Sequence, residues 1–263
     1  MGKKIGFIGA GNMATAIIKG ISGKGYYISA FDLDKSKLDA LVEFGVKSAQ
    51  SANEIAQDSD YVFLAVKPQN FETVLDQIKD SVNKNAVVVS IAAGISDSYI
   101  KSMLGYDAKV VLVMPNTPLL LGVGATAMAQ IEPVTDAEFS DVYKIFESSG
   151  VVCKVPQDKM KEIICVNGST PAFIYLYAKG YIDYAKEQGI DQTDALKLFC
   201  ATLKGSADMM TDSGFSIDEL IKMVSSPGGT TLEGLKVLND NDLLGTIQKA
   251  CEATTKRAYE LAK

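Results

Sequence analysis

The sequence predicts an α/β domain with a parallel sheet over residues 1–156, followed by an all-helical domain over residues 157–263. As far as Pro156, short apolar runs alternate with amphipathic segments of about ten residues, which is typical of βαβ units. Beyond Asp158 no strand pattern follows, and apolar residues recur at helical spacing.

Composition narrows the possible functions. Hydrophobic residues make up 47% of the chain and charged residues 22%, as in an ordinary globular protein. The net charge of −6, without a basic block, argues against nucleic acid or an anionic membrane as partner. No apolar run approaches the ~18 residues of a membrane span. Because the chain has no histidine, imidazole catalysis and histidine ligation of a metal are excluded, and we expect no metal site.

Cysteine spacing and the N-terminus both favour the cytoplasm. The four cysteines lie far apart without a C-x-x-C pair, which predicts reduced, mostly buried thiols and no disulfide or zinc framework. The chain enters its first apolar run directly, so we expect no signal or transit peptide.

The first predicted strand, Ile5 to Ile8, runs into a glycine-rich turn and then a helix. The spacing of Gly9, Gly11 and Ala14 matches the dinucleotide fingerprint G-x-G-x-x-A. Gly9 permits the tight turn, Gly11 lets backbone approach a pyrophosphate, and Ala14 lets the helix pack closely on the strand. Free N–H groups at the helix start would face the phosphates. This pattern predicts a Rossmann-type cofactor site at Gly9, Ala10, Gly11, Asn12, Met13 and Ala14.

The second predicted strand, Tyr26–Asp32, ends in an acidic residue. At this position a carboxylate holds the adenosine ribose hydroxyls, so Asp32 favours NAD over NADP. Lys35 and Lys37 follow and could still attract a 2′-phosphate, and Asp32 could instead cap a helix or lie in a plain loop. In the predicted helix Ser51–Asp58, Asn53 lies either near the adenine end or merely at the cap.

Three further strands are predicted at Asp60–Val66, Ala86–Ile91 and Lys109–Met114. They end in Lys67-Pro68, Ala92-Ala93-Gly94 and Pro115-Asn116-Thr117-Pro118. Because the carboxyl ends of parallel strands meet at one edge of the sheet, these segments predict a cofactor wall.

The remaining elements are two more strands and a run of helices. Strands Gly124–Gln130 and Gly150–Val155, with the helix Asp136–Ser148 between them, are expected to extend the sheet. Long helices are predicted at Lys159–Gln188, Gln192–Ser213, Ser216–Val224, Thr230–Leu238 and Leu243–Ala262. The first is interrupted at Asn167-Gly-Ser-Thr-Pro171, where Pro171 should kink it. A helical domain this elongated suggests dimerisation.

The turn Val224-Ser-Ser-Pro-Gly-Gly-Thr-Thr231 joins two predicted helices. Exposed N–H groups at a helix start beside hydroxyls can bind a small carboxylate, although a capped turn without a ligand remains the alternative. Reduction of a C=N bond suits a chain without histidine, because a protonated imine already accepts hydride. The sequence therefore favours imine reduction.

Five motifs together resemble the pyrroline-5-carboxylate reductase family, nearly from end to end. They are Gly6-Phe-Ile-Gly-Ala-Gly-Asn-Met-Ala14, Leu64-Ala-Val-Lys-Pro-Gln69, Met114-Pro-Asn-Thr-Pro118, Gly168-Ser169 with Pro171-Ala172, and Ser226-Pro-Gly-Gly-Thr-Thr231. The resemblance implies hydride transfer from NAD(P)H to C5 of Δ1-pyrroline-5-carboxylate, giving L-proline. It also implies a helical domain that interlocks with a partner subunit, in dimers that can assemble into decamers.

The resemblance also assigns roles to residues. Thr231 would contact the ring nitrogen, Gly228, Gly229 and Thr230 would receive the carboxylate, and Ser169 would line the substrate site. The cofactor would be flanked by Val66, Lys67, Pro68, Ala92, Ala93 and Asn116. From the sequence pattern itself, Asn53 and Ala65 are further candidate cofactor residues.

Two positions depart from the family pattern. Leu112 stands where the family often has arginine, and Thr170 stands where it usually has glycine. These changes leave open a paralogue that reduces another imine, or a non-catalytic dinucleotide-binding protein. Asp32, unlike the hydroxyl-rich loop of NADP-using members, favours NADH.

Overall fold

A computed structural model describes residues 2–261, and the chain divides into two compact units. Unit 1 comprises Met1–Pro171 with Ala253–Lys263, and unit 2 comprises Ala172–Glu252.

Unit 1 contains a sheet of eight strands in the order β3-β2-β1-β4-β5-β6-β7-β8. Their bounds are β1 Lys4–Ile8, β2 Tyr27–Phe31, β3 Lys47–Ser48, β4 Tyr61–Leu64, β5 Val87–Ser90, β6 Lys109–Met114, β7 Gly124–Gln130 and β8 Gly150–Lys154. All neighbouring strands are parallel except β6 and β7, which pair antiparallel. The parallel sheet is therefore confirmed for β1 to β6, whereas β7 and β8 both run in the opposite direction. The reversal falls between β6 and β7 because the connection from Met114 to Gly124 is too short for a crossover.

Helices cover both faces of this sheet. Those of unit 1 are α1 Asn12–Ile21, α2 Lys35–Asp39, α3 Ala52–Asp58, α4 Phe71–Ile78, α5 Asp97–Leu104 and α6 Asp136–Glu147. Phe7 and Phe63 stack with ring centroids 4.6 Å apart in the core under α1 and α6. The next residues along these strands, Ile8 and Leu64, belong to the second core under α3, α4 and α5. Each large apolar side chain buried this way contributes about 1.5–3 kcal/mol.

The remaining α-helices are α7 Thr170–Glu187, α8 Gln192–Asp212, α9 Ile217–Met223, α10 Thr230–Asp240 and α11 Leu243–Leu261. The helix predicted over Lys159–Gln188 begins too early, but its predicted interruption at Asn167–Pro171 is confirmed, since α7 begins at Thr170. A 3-10 turn at Gln157–Lys159 and a π-helical turn at Ile164–Gly168 precede α7 instead. The last predicted residue of the final helix, Ala262, lies outside the described residues.

Short elements escaped the sequence analysis. It missed β3 and α2, which are too short to show periodicity.

Cys153 and Cys200 are free and exposed, so the expectation of buried thiols is wrong for both. Cys165 and Cys251 are disulfide-bonded, so the expectation of four reduced thiols is wrong as well.

Two kinds of feature are absent from the described residues. Residues 2–261 contain no helix with the length and apolar character needed to traverse a bilayer. Across the same range, no group of three or more cysteine, aspartate or glutamate side chains is arranged to hold a metal ion.

Candidate functional site

The glycine-rich turn after β1 has the geometry that its sequence predicts. Gly9 has φ of +101°, and a Cβ atom there would lie 2.5 Å from the carbonyl oxygen of Ala65. Only glycine fits this position, because a side chain would meet both backbone strain and a steric clash. At Gly11 no atom lies within 4 Å of the place where a Cβ would stand, so this backbone is open to a ligand.

The turn presents the start of α1. Gly11 is its N-cap residue, with extended backbone, and among the described residues no side chain accepts a cap hydrogen bond there. The N–H groups of the first turn, from Asn12 to Ala14, therefore lack an intrahelical acceptor and carry the positive end of the helix dipole. Ala14 is 1% exposed and lets α1 pack against the sheet. A helix start with this geometry can bind a phosphate or pyrophosphate group.

Asp32 lies directly after β2 and is tied to the same turn. The backbone N–H of Ala10 donates to its Oδ2 at 2.8 Å, and that of Asp34 donates to its Oδ1 at 2.9 Å. Lys37 Nζ lies 3.3 Å from Oδ1. Partial burial acts to raise the pKa of Asp32, but these hydrogen bonds and the lysine outweigh it and lower the pKa. Asp32 therefore stays ionised at neutral pH, facing the cleft.

A cleft of about 650 Å³ runs from the glycine-rich turn across the ends of β2 and β4. Predicted cofactor residues in its lining are Gly9, Gly11, Asp32, Ala65, Val66 and Lys67. The structure thus brings together residues from three separate stretches of sequence at the carboxyl edge of the sheet, as the strand ends predicted.

Asn53 lies in α3, and the alternative that it merely caps this helix is wrong. The cap is Ser51, whose Oγ accepts from the N–H of Glu54 at 3.2 Å. Asn53 Oδ1 is buried and has no hydrogen-bond partner among the described residues. A buried amide oxygen without a donor is costly, and Asn53 follows Ala52, which lines the cleft.

Other residues of the cleft were not predicted. Leu33 is 94% exposed although it is apolar, and α4 contributes one face with Thr73, Val74 and Gln77. Thr73 and Val74 lie four and three residues before Gln77, so all three share one face of the helix that follows Lys67-Pro68. This spacing is the sequence signal that could have predicted them.

The other predicted strand-end residues lie elsewhere. Ala92 lines a separate cavity of about 540 Å³ with Ser90, Gly94 and Leu112. Pro68, Ala93 and Asn116 line neither this cavity nor the cleft. Leu112, which stands in the usual arginine position, is 7% exposed and belongs to the apolar core.

The Asn116 side chain is held inside unit 1. Its Oδ1 accepts from the N–H of Ala125 at 2.9 Å, and its Nδ2 donates to the carbonyl oxygen of Asn167 at 3.2 Å. In the π-helical turn, the N–H of Ser169 donates to the carbonyl of Ile164 at 2.8 Å.

The Thr170 side chain has a local role. Its hydroxyl donates to the carbonyl of Cys165. Thr170 therefore satisfies a carbonyl of the widened π turn, which glycine in that position could not do.

In unit 2, the turn before α10 forms a second exposed helix start. Gly228 has φ of +73°, and Gly229 is the N-cap residue, without a side-chain cap bond among the described residues. The N–H of Gly229 donates to the carbonyl of Ser226 at 2.9 Å, which closes the turn. Thr230 and Thr231 begin α10 with exposed side chains. Free N–H groups beside hydroxyls suit a small carboxylate.

The sheet order, the glycine-rich turn and the acidic residue after β2 define a Rossmann-type dinucleotide-binding protein. Two family models match the chain. Residues 4–94 match "NADP oxidoreductase coenzyme F420-dependent", and residues 157–261 match "Pyrroline-5-carboxylate reductase dimerisation".

Full-length relatives agree with these matches. Pyrroline-5-carboxylate reductase of Escherichia coli is 35% identical over 100% of both chains, and that of Methanosarcina acetivorans is 33% identical over 99% of this chain and 98% of its own. Among solved structures, the Coxiella burnetii reductase superposes with a TM-score of 0.90 at 34% identity, covering 100% of both chains. The Plasmodium falciparum reductase with NADP bound gives 0.89 at 27% identity, covering 99% of this chain and 98% of its own. The chain belongs to the pyrroline-5-carboxylate reductase family.

Proposed function

We propose that this chain reduces Δ1-pyrroline-5-carboxylate to L-proline with NAD(P)H. The observation that carries the proposal is the glycine-rich cleft, within a chain that matches reductases of this name over its whole length. When bound, the reduced nicotinamide supplies the hydride. What remains for the protein is to hold the two molecules, orient the C=N bond and stabilise the carboxylate.

The first-turn N–H groups of α1 would hold the pyrophosphate, with Gly9 permitting the tight turn and Gly11 keeping the approach open. Ala10, Asn12, Met13 and Ala14 contribute backbone to this turn. Asn53 would use its buried, unpartnered oxygen toward the adenosine end. The remaining proposed contacts are Ala65, Val66, Lys67, Pro68, Ala92, Ala93 and Asn116.

For the substrate, we assign the carboxylate to the N–H groups at Gly228, Gly229 and Thr230 and the ring nitrogen to the Thr231 hydroxyl. A hydroxyl can both donate to and accept from the nitrogen, so it suits the imine and the product amine. Ser169 is assigned to the substrate site through the family pattern.

We propose that NADH is the preferred coenzyme. Asp32 is ionised, is 14% exposed and lies in the cleft beside the glycine-rich turn. A carboxylate here accepts a hydrogen bond from the ribose 2′-hydroxyl and repels a 2′-phosphate.

Self-association follows from the exposed apolar surface of unit 2. Of residues 172–252, all of which are described, Ala185 alone is buried. Leu198 is 68% exposed and Val237 60%. Such surface needs a partner. We therefore propose that the chain forms a homodimer through residues 157–263 and that dimers assemble further into a decamer. Residues 1–156 are proposed to form the nucleotide-binding domain. A monomeric mass by light scattering at micromolar concentration would rule the dimer out.

We propose the cytoplasm as the compartment and a small cyclic imino acid as the substrate. Neither nucleic acid nor membrane is proposed as a partner, because the chain carries a net charge of −6 without a basic block.

The decisive experiment is a coenzyme oxidation assay with pyrroline-5-carboxylate, with NADH and NADPH run in parallel. We expect oxidation of both, with the larger kcat/KM for NADH. If dinucleotide binds by calorimetry but neither coenzyme is oxidised, the assigned reaction is wrong. The paralogous imine reductase and the non-catalytic dinucleotide-binding protein are then the remaining readings.

A further inference from the structure

Lys37 points toward the cleft from α2. Its Nζ lies 3.3 Å from Asp32 Oδ1 and 4.0 Å from Asp34 Oδ2, and its side chain is 45% exposed. Lys37 also lines the cleft that contains Gly9 and Gly11. A partly exposed ammonium group therefore lies beside the carboxylate assigned to the coenzyme ribose.

Lys35, two residues earlier, provides an internal comparison. Its side chain is exposed, it does not line the cleft, and no ion pair joins it to a residue in the described range. The sequence alone left both lysines as possible contacts for a 2′-phosphate. The structure separates them, because Lys37 alone of the two reaches the cleft.

The hydrogen bonds of Asp32 leave room for a ribose hydroxyl. Each carboxylate oxygen can accept two hydrogen bonds, and Oδ2 accepts one, from Ala10. Oδ1 already accepts from Asp34 and Lys37. A 2′-hydroxyl can therefore donate to Oδ2 while Lys37 stays on Oδ1.

A 2′-phosphate, unlike a 2′-hydroxyl, cannot donate a hydrogen bond to Asp32. It brings a charge of about −2 and acceptor oxygens only, so it needs donors and is repelled by Asp32 and Asp34. Lys37 is the cationic side chain already in contact with Asp32. An exposed ion pair of this kind contributes little stability, so the lysine can change partners at small cost.

We propose that Lys37 determines how well this chain uses NADPH. When NADPH binds, the Lys37 ammonium breaks its ion pair with Asp32 and pairs with the 2′-phosphate instead. With NADH it remains on Asp32. This inference rests on the proposed coenzyme site. It assigns the preference for NADH and the residual use of NADPH to two different residues. Asp32 sets the preference for NADH, and Lys37 sets the residual acceptance of NADPH.

The test compares Lys37→Gln with the matched control Lys35→Gln and the conservative variant Lys37→Arg. Dissociation constants of both coenzymes are measured by calorimetry, and kcat/KM by the oxidation assay. We expect Lys37→Gln to weaken NADPH about 10- to 100-fold in both readouts and to change NADH less than about threefold. Lys35→Gln should leave both coenzymes within about threefold, and Lys37→Arg should retain NADPH.

Three outcomes would overturn the role of Lys37. Equal weakening of both coenzymes would mean that the lysine only holds Asp32 in place, and equal loss in Lys35→Gln would mean a general charge effect. Wild-type preference for NADPH would refute the proposed NADH preference, yet a selective loss in Lys37→Gln would still support Lys37. Wild-type preference for NADH with NADPH unaffected in Lys37→Gln would refute the Lys37 inference alone.

Discussion

Asn116 Nδ2 donates a hydrogen bond to the carbonyl oxygen of Asn167, across 51 residues of sequence. The reason lies four residues beyond Asn167. Pro171 has no N–H group, so it cannot donate to the carbonyl of Asn167 as an ordinary helical residue would. The amide of Asn116 supplies the missing donor. A second hydrogen bond joins the same two segments, because Asn167 Nδ2 donates to the carbonyl of Met114 at 2.7 Å.

Asn116→Ala should destabilise the chain by about 1–3 kcal/mol, because it leaves the Asn167 carbonyl and the Ala125 N–H without partners. The measurement is the free energy of unfolding from urea titration. Asn85→Ala, at an exposed turn, is the matched control and should change stability by less than about 0.5 kcal/mol. Similar losses in both variants would show that the bridge adds nothing.

Alanine substitutions of the two glycines in the turn should have different effects, one on stability and the other on NADH affinity. Gly9→Ala should cost about 2–4 kcal/mol of stability, because its φ is positive and Cβ would meet the Ala65 carbonyl. Gly11→Ala should keep the thermal midpoint nearly unchanged but weaken NADH by about tenfold or more, because its Cβ enters the approach to the phosphates. Calorimetry and thermal melting separate the two effects. A Gly11→Ala protein with unaltered NADH affinity would disprove the assigned pyrophosphate site.

Thr231→Ala should lower kcat/KM for pyrroline-5-carboxylate by about 10- to 100-fold, the effect of losing one or two transition-state hydrogen bonds. Thr231→Ser keeps the hydroxyl and should retain most of the activity. NADH affinity serves as the control and should be equal in all three proteins. Unchanged kinetics in Thr231→Ala would remove the assigned role.

Asp32→Ser should weaken NADH and improve NADPH, raising the NADPH-to-NADH ratio of kcat/KM by about tenfold. Because Asp32 also accepts from Ala10, part of the loss with NADH should reflect a looser glycine-rich turn. Asp32→Asn removes the charge but keeps an acceptor oxygen, so it isolates the electrostatic share. An unchanged ratio in both variants would refute the role of Asp32 in coenzyme choice.

Glu138 should give the chain a pH-dependent stability. Partial burial acts to raise its pKa, but hydrogen bonds from Lys109 and Thr135 and the charge of Lys109 outweigh burial and lower it from the ordinary 4.5. A lowered folded-state pKa stabilises the protein above the unfolded value, and this stabilisation is lost as pH falls through the folded value. The difference in unfolding free energy between wild type and Glu138→Gln should therefore be full near about pH 7 and shrink below about pH 4. A difference independent of pH would contradict this assignment.

How far sequence predicts this site depends on the range of the contacts. The turn at Gly9 and Gly11 depends on local geometry and close approach, so its spacing, between a predicted strand and a predicted helix, was enough to predict it. The Leu64–Lys67 strand end was predictable because parallel strands end at one edge. The antiparallel pairing of β7 was also within reach, since its short connection from β6 rules out a crossover. The helix predicted over Lys159–Gln188 was wrong in its first turns, because periodicity does not distinguish a π turn from an α turn, whereas its interruption at Asn167–Pro171 was predicted.

Sequence by itself determined the sheet domain, the helical domain, the glycine-rich cofactor turn and the glycine-threonine helix start, because each follows from local spacing. Tertiary structure alone decided which side chains meet. It tied Asp32 to Ala10, placed Lys37 and not Lys35 in the cleft, and joined Asn116 to Asn167. These contacts link residues whose proximity depends on how strands and helices pack, and packing is a property of the whole sheet that no single segment encodes.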